Sequence, residues 1–307
     1  MGKGLAAQYA VARSVFEEAG DALGFPLSAL CFEGPEDALE LTENTQPVLL
    51  TVSTAAFRVL AERGFAPDYV AGHSLGEYSA LVAAGSLQFA DAVRLVRKRG
   101  RYMQEAVPPG VGAMAALLRL PEGALDGVLQ QAAQGEVVSA ANLNAPDQVV
   151  IAGHAGAVNR AIELAKAAGT RRAILLQVSA PFHCALMKPA QERLAADLNA
   201  TDFSDLSCPL VNNWQAARSA HGREGAAGFI RAGTQPGALG GIDPASGCAG
   251  SPAFRRSGRG RRAHRPAALH RSEPARFALR RSRGLGQTLR MSCGYDRLRA
   301  ACNIARA

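Results

Sequence analysis

The chain has 307 residues, 48% hydrophobic and 20% charged, with a formal net charge of +8. That composition suits one large domain or two smaller ones and excludes a disordered polymer, a collagen-like fibre and a disulfide miniprotein. Residues 1–217 carry a net −6 and residues 218–307, with 18 Arg and no Lys, a net +14, so the basic character that would suggest a polyanion partner belongs to the end alone.

Residues 5–23 alternate apolar and acidic side chains and predict an amphipathic helix ending near Gly24. A second helix is expected over Val48–Arg63, with Pro47 in its first turn. Pro67 to Ala71 reads as a short buried strand, and Glu77–Ala84 and Asp91–Glu105 as helices. Alternating strands and helices favour an α/β layer fold. From Gly110 to Val178 the expected order is strand, helix, strand, strand, helix, strand, which is the ferredoxin-like signature. Past Trp214 the periodicities vanish and Gly, Ala, Arg, Ser and Pro dominate; the last ~90 residues are expected to be a disordered basic tail.

Six cysteines, none in a C-x-x-C pair, argue against zinc-ribbon and thioredoxin-type sites. No apolar run follows Lys3, so no secretory signal is expected, and no stretch reaches the length of a membrane span. The expectation is a cytoplasmic protein with reduced thiols, no metal, no cofactor and no membrane or nucleic-acid partner.

Gly72-His73-Ser74-Leu75-Gly76 stands between the expected strand and helix. A G-x-S-x-G in that context is a nucleophile elbow: its two glycines permit a tight turn that exposes the Ser74 hydroxyl. The same turn aims the Leu75 N–H and the helix start at a reacting carbonyl. Ser74 needs a base. His221, His264 and His270 lie in the tail, His73 is expected to point away from the hydroxyl, and His154 reads as a loop or cap residue. His183, after the last strand of the inserted module, remains as general base. Arg94, Arg97, Lys98, Arg99 and Arg101 form a basic helix; one turned inward could grip a substrate carboxylate, but position alone does not choose which.

The segment Gly72-His73-Ser74-Leu75-Gly76-Glu77-Tyr78-Ser79-Ala80-Leu81 closely resembles the nucleophile segment of malonyl-CoA:acyl carrier protein transacylases. Further matches are Thr45-Gln46-Pro47, Arg99-Gly100 with Met103-Gln104-Glu105-Ala106, Asn142-Leu143-Asn144, Gln148 to Gly153, and His183 to Met187. The resemblance runs in order to about residue 217. It implies an α/β-hydrolase-like acyltransferase domain (1–107 and 182–217) interrupted by a ferredoxin-like subdomain (108–181). It also implies ping-pong transfer of malonyl from malonyl-CoA to the phosphopantetheine thiol of acyl carrier protein in fatty acid biosynthesis, by a monomer. Ser74 and His183 would be catalytic, the Leu75 N–H would hold the oxyanion, and Arg99, Gln46 and Asn142 would bind substrate. Leu75 and Phe182 resemble the malonyl-selective pattern.

Two departures from the family pattern accompany this resemblance. The family's Gly-Gln-Gly-Ser-Gln loop is not found before Met1, and its C-terminal Glu-Val-Gly-Pro-Gly and Leu-Thr-Gly-Leu segments are not visible after residue 217. Shifted-frame back-translation of Ala263–Ser272 and of Leu279–Leu289 permits family-like text, and residues 218–307 are therefore expected to be an out-of-frame translation. The alternatives are a polyketide-type acyltransferase, or an inactive truncated or frameshifted member of the family. A simple esterase is disfavoured, because its acid usually stands between serine and histidine. A nucleic-acid binder using the tail finds no support in the acidic body.

Overall fold

The computed structural model describes residues 1–145, 147–213 and 217–219. Of the Arg-rich segment 218–307, Arg218 and Ser219 fall within that set, and the expectations for the remainder lie outside the described residues. In chain order the elements are α1 (Lys3–Gln8), α2 (Ala10–Leu23), α3 (Leu27–Glu33), α4 (Glu36–Glu40), α5 (Thr42–Glu62), β1 (Val70–Ala71), α6 (Gly76–Ala83) and α7 (Phe89–Ala106). There follow β2 (Gly112–Leu118), α8 (Ala124–Ala133), β3 (Val138–Ala145), β4 (Gln148–His154), α9 (Ala155–Ala167), β5 (Arg172–Leu175), α10 (Lys188–Asn199), β6 (Leu210–Val211) and β7 (Arg218–Ser219).

The first expected helix is divided at Tyr9, whose extended backbone (φ −125°, ψ 123°) separates α1 from α2. It ends at Gly24 in the left-handed conformation, where the Gly24 N–H bonds the Gly20 carbonyl. Helix α5 starts earlier than its apolar pattern predicts, and Pro47 is its sixth residue rather than part of a first turn. The polar start is stitched down by side chains: Asn44 Nδ2 donates to the Ala38 carbonyl, and Thr45 Oγ1 to the Leu39 and Leu41 carbonyls. Those local bonds carry the helix past a residue that has no N–H to contribute.

Among the described residues the strands form two sheets. In the smaller, the order is β1-β6-β7, with β1 parallel to β6 (Val70 opposite Leu210, Ala71 opposite Val211). In the larger, the order is β3-β4-β2-β5 and every pairing is antiparallel, which with α8 and α9 is the ferredoxin-like arrangement. Strand β2 reads as an unbroken apolar run because both its faces are covered. Ala115 and Leu117 pack with Ile151 against Val128 of α8 and Val158 and Ile162 of α9. Met114 and Ala116 face the other way, with Val150 and Ala152, onto Cys184. The back of this sheet therefore buttresses the segment that carries His183. A separate core joins α1, α2, α3, α5, α6 and α7 with Leu194, Leu198 and Leu210. Met103, Val107, Ala180, Met187 and Ala190 fill the seam beside it.

Among the described residues no helix is long and apolar enough to cross a membrane, and Cys31, Cys184 and Cys208 are free thiols. Helix α7 approaches the start of α5 so closely that a Cβ on Gly100 would lie 2.5 Å from Glu43 Cα and from the Thr42 carbonyl oxygen. Both obstacles are backbone. Gly100→Ala is expected to lower stability by about 1–3 kcal/mol, read from urea unfolding.

Candidate active site

Strand β1 delivers the chain into the turn Gly72-His73-Ser74. Ser74 has φ 52°, in the left-handed region, a conformation that a non-glycine residue keeps only when its surroundings hold it. The turn closes through the Gly76 N–H to the His73 carbonyl (2.8 Å) and the Glu77 N–H to the Ser74 carbonyl (3.2 Å). The two glycines of the motif are not equivalent, which corrects the expectation that both permit the turn. A Cβ on Gly72 would sit 1.9 Å from the Gly76 carbonyl carbon, whereas one on Gly76 would meet nothing within 4 Å. Close backbone approach requires glycine at 72; the left-handed residue is Ser74 itself.

His183 arrives from the other side, 1% exposed and also left-handed (φ 58°). Its Nε2 lies 3.1 Å from Ser74 Oγ. With the ring proton on Nδ1, Nε2 accepts from the serine hydroxyl. The Cys184 thiol donates to the Pro181 carbonyl (3.1 Å), and burial pushes its pKa up to about 11, so it is an inert anchor for the segment that carries His183. His154, read as a loop or cap residue, stands at the N-cap position of α9 without a side-chain bond to that helix; its Nδ1 instead accepts the Val137 N–H at 2.9 Å. His73 lies closer to the site than its expected outward orientation suggests, its ring 5.8 Å from that of His183.

The basic helix resolves into one inward residue and a solvated face. Arg94 bonds Asp91, Arg97 bonds Asn44, Lys98 bonds Asp197, and Arg101 lies near Glu105. Arg99 is 8% exposed and shares the buried stripe of Ala92, Val96 and Met103. Its Nη2 donates to Ser74 Oγ at 2.9 Å and its Nη1 to Gln46 Oε1 at 2.6 Å, and its guanidinium lies 5.7 Å from the centre of the Tyr78 ring. Gln46 Nε2 donates in turn to Thr42 Oγ1 (2.9 Å) and Met103 Sδ (3.5 Å). Burial lowers the pKa of Arg99 while Tyr78 and Glu77 oppose the shift; a guanidinium in this setting stays charged.

Ser74, His183, Arg99 and Gln46 thus form one hydrogen-bonded chain. Leu75 stands at the start of α6, and nothing among the described residues accepts its N–H. Asn142 is set on the other sheet, fully buried on β3 at a bulge, next to Ala141, which packs against Cys184. Two residues at the site were not singled out from sequence: Thr42, behind Gln46, and Glu77. Glu77 is 1% exposed, its Oε1 accepts the Asn213 N–H at 2.5 Å, and burial pushes its pKa up to about 8 against the opposing pull of that bond and of Arg99. A position in the first turn of α6, three residues past Ser74 and on its buried side, was the available signal.

The Acyl transferase domain family model matches residues 1–220. The malonyl CoA-acyl carrier protein transacylase of Escherichia coli strain K12 is 53% identical over 210 residues, covering 68% of this chain and 68% of that protein. The acyl carrier protein S-malonyltransferase structure from Vibrio cholerae aligns with a TM-score of 0.73 at 47% identity, covering 76% of each chain. A malonyl-transacylase solved in complex with a type II PKS acyl-carrier protein aligns with a TM-score of 0.75 at 46% identity, covering 77% of each.

The Glu77 carboxyl has a folded-state pKa above its ordinary 4.5, so the stability it contributes is fully present below about 4.5 and lost as pH rises through about 8. Arg99 from α7 and the neighbouring Tyr78 are titratable groups that face it. Glu77→Gln removes this titration. Urea unfolding at both ends of that window should show the variant gaining on wild type as pH rises.

Proposed function

The chain belongs to the acyl transferase family, and on that footing we propose that it transfers malonyl from malonyl-CoA to the phosphopantetheine thiol of acyl carrier protein, in fatty acid biosynthesis. The observation that carries this reading is a serine hydroxyl held between an imidazole at 3.1 Å and a buried guanidinium at 2.9 Å. A base alone would serve any ester or thioester. A cation in contact with the nucleophile itself favours an acyl group whose own carboxylate lies one methylene from the reacting carbonyl, and malonyl is that group.

His183 Nε2 takes the proton from Ser74 Oγ as the oxygen attacks the thioester carbon. The Leu75 N–H stabilises the tetrahedral oxyanion. Collapse breaks the carbon–sulfur bond, the coenzyme A thiolate takes the proton from His183, and malonyl remains as an ester on Ser74. The carrier's thiol then gives its proton to His183 and attacks that ester, and Ser74 leaves with the proton. Throughout, Arg99 holds the malonyl carboxylate, Gln46 keeps the guanidinium in plane, and Asn142 lines the acyl site from the insert. Residues 1–107 and 182–217 form the catalytic body and 108–181 the ferredoxin-like insert; the enzyme works as a monomer in the cytoplasm.

A polyketide carrier as acceptor is a second reading, favoured by the likeness to the malonyl-transacylase bound to a type II PKS carrier. Incubation with labelled malonyl-CoA tests the first half-reaction. Wild type should acquire a hydroxylamine-sensitive malonyl ester, and Ser74→Ala none; an unlabelled wild type would overturn the proposal. Arg99→Gln should lower kcat/KM for malonyl-CoA by about 10²-fold or more, since a buried charge loses its partner. Offering fatty acid and polyketide carriers in turn to the loaded enzyme separates the two acceptors.

A further inference from the structure

Glu77 takes no part in the transfer described above, yet its carboxyl is buried in the first turn of α6. Burial of a carboxyl is costly unless its oxygens are bonded. Here Oε1 accepts the backbone N–H of Asn213, a residue 0% exposed and two positions past β6.

The topology gives this bond a purpose. Strands β1 and β6 lie side by side and parallel, but their ladder is two residues long. Each runs from that ladder into the site, β1 into the Ser74 turn and β6 into residues 212–213. So short a ladder holds its ends weakly. Glu77 bonds both ends: its backbone N–H reaches the Ser74 carbonyl at 3.2 Å, and its side chain reaches Asn213. Gly72 presses on the same point, its missing Cβ leaving room for the Glu77 nitrogen, which such an atom would meet at 2.4 Å. The result is a closed frame running through β1, the turn, the start of α6, Glu77, Asn213 and β6. Inside it sits Ser74, whose left-handed backbone costs on the order of 1–3 kcal/mol and needs surroundings that leave it no alternative.

We propose that Glu77 is a positioning residue whose carboxyl oxygen locks the end of β6 to the nucleophile turn, and that this lock keeps Ser74 Oγ within bonding distance of His183 and Arg99. The inference rests on Ser74 being the nucleophile. The lock needs an acceptor oxygen, not a charge: the carboxyl accepts the Asn213 N–H in either protonation state, and an amide of the same length replaces it.

Wild type, Glu77→Gln and Glu77→Met are compared by amide hydrogen exchange and by malonyl loading. The Asn213 amide should exchange slowly in wild type and in Glu77→Gln, and quickly in Glu77→Met, which fills the same space without an acceptor. Loading should stay near the wild-type rate in Glu77→Gln. In Glu77→Met kcat should fall by about 10²-fold with KM for malonyl-CoA unchanged, because the nucleophile moves while the Arg99 clamp does not. A protected Asn213 amide in Glu77→Met overturns the lock, as does a Glu77→Gln that loses protection with it. A fast-exchanging Asn213 in wild type overturns it without any variant, should Glu77→Met fail to fold. If wild type takes no label, the transfer reading fails, and the exchange results still decide the lock.

Discussion

A guanidinium buried beside a serine hydroxyl is the constraint from which the rest of the site follows. Removing a charged group from water costs several kcal/mol even after relaxation, and the cost falls only when its donors and its charge are met. Arg99 meets the first demand through Gln46 and Ser74 and part of the second through the face of Tyr78. Among the described residues, none of the ion pairs includes Arg99. Its charge is therefore only partly compensated, and in the proposed reaction the malonyl carboxylate would supply what the fold withholds. On the proposed reading, selectivity would come from that unfilled demand, so the same burial that weakens the fold locally would direct the substrate.

The proposed base, His183, stands just past the insert, where its neighbour Cys184 packs against the insert's sheet. Met114, Ala116, Val150 and Ala152 turn one face of the four-stranded sheet toward Cys184, while the opposite face is sealed by α8 and α9. A sheet covered on both sides is stiff, and the Cys184 bond to the Pro181 carbonyl fastens the segment next to His183 against it. The insert thus acts as the wall that sets where the imidazole stands, although His183, like Ser74 and Arg99, lies outside it.

Legibility in the sequence followed the range of the interactions involved. The order of elements in the insert was readable because each strand and helix carries its own periodicity, and the Ser74 turn because glycine and serine at fixed offsets report local backbone. His183 emerged by exclusion from its place at the junction. Arg99 was readable in principle, since it falls on the apolar stripe of α7, but a stripe does not say what it faces. The role of Gln46 depends on α5 and α7 meeting, and that of Glu77 on β6 returning beside β1; neither contact has a local signature. Gly76 was misread for a related reason. The motif pairs two glycines symmetrically, whereas the backbone demands one at Gly72 alone and places the unusual dihedral on Ser74. Helix α5 began early because side-chain bonds from Asn44 and Thr45 to the carbonyls of Ala38 and Leu39 in α4 and of Leu41, invisible to a hydrophobic pattern, tie down its polar start.

The two residues proposed to exchange the proton share one further property: each holds a left-handed backbone that its side chain disfavours, φ 52° at Ser74 and φ 58° at His183. Strain of this kind relaxes unless neighbours forbid it, and the neighbours here differ. Ser74 is fixed by the parallel strands and the start of α6, His183 by the insert's sheet and the seam around Met187. Because the restraints lie in separate cores, relaxation of either one would move an oxygen or a nitrogen away from a 3.1 Å contact that neither core controls alone. The contact is therefore a property of how the two bodies are packed together. A substitution in either core that leaves every site residue in place can still separate Ser74 from His183.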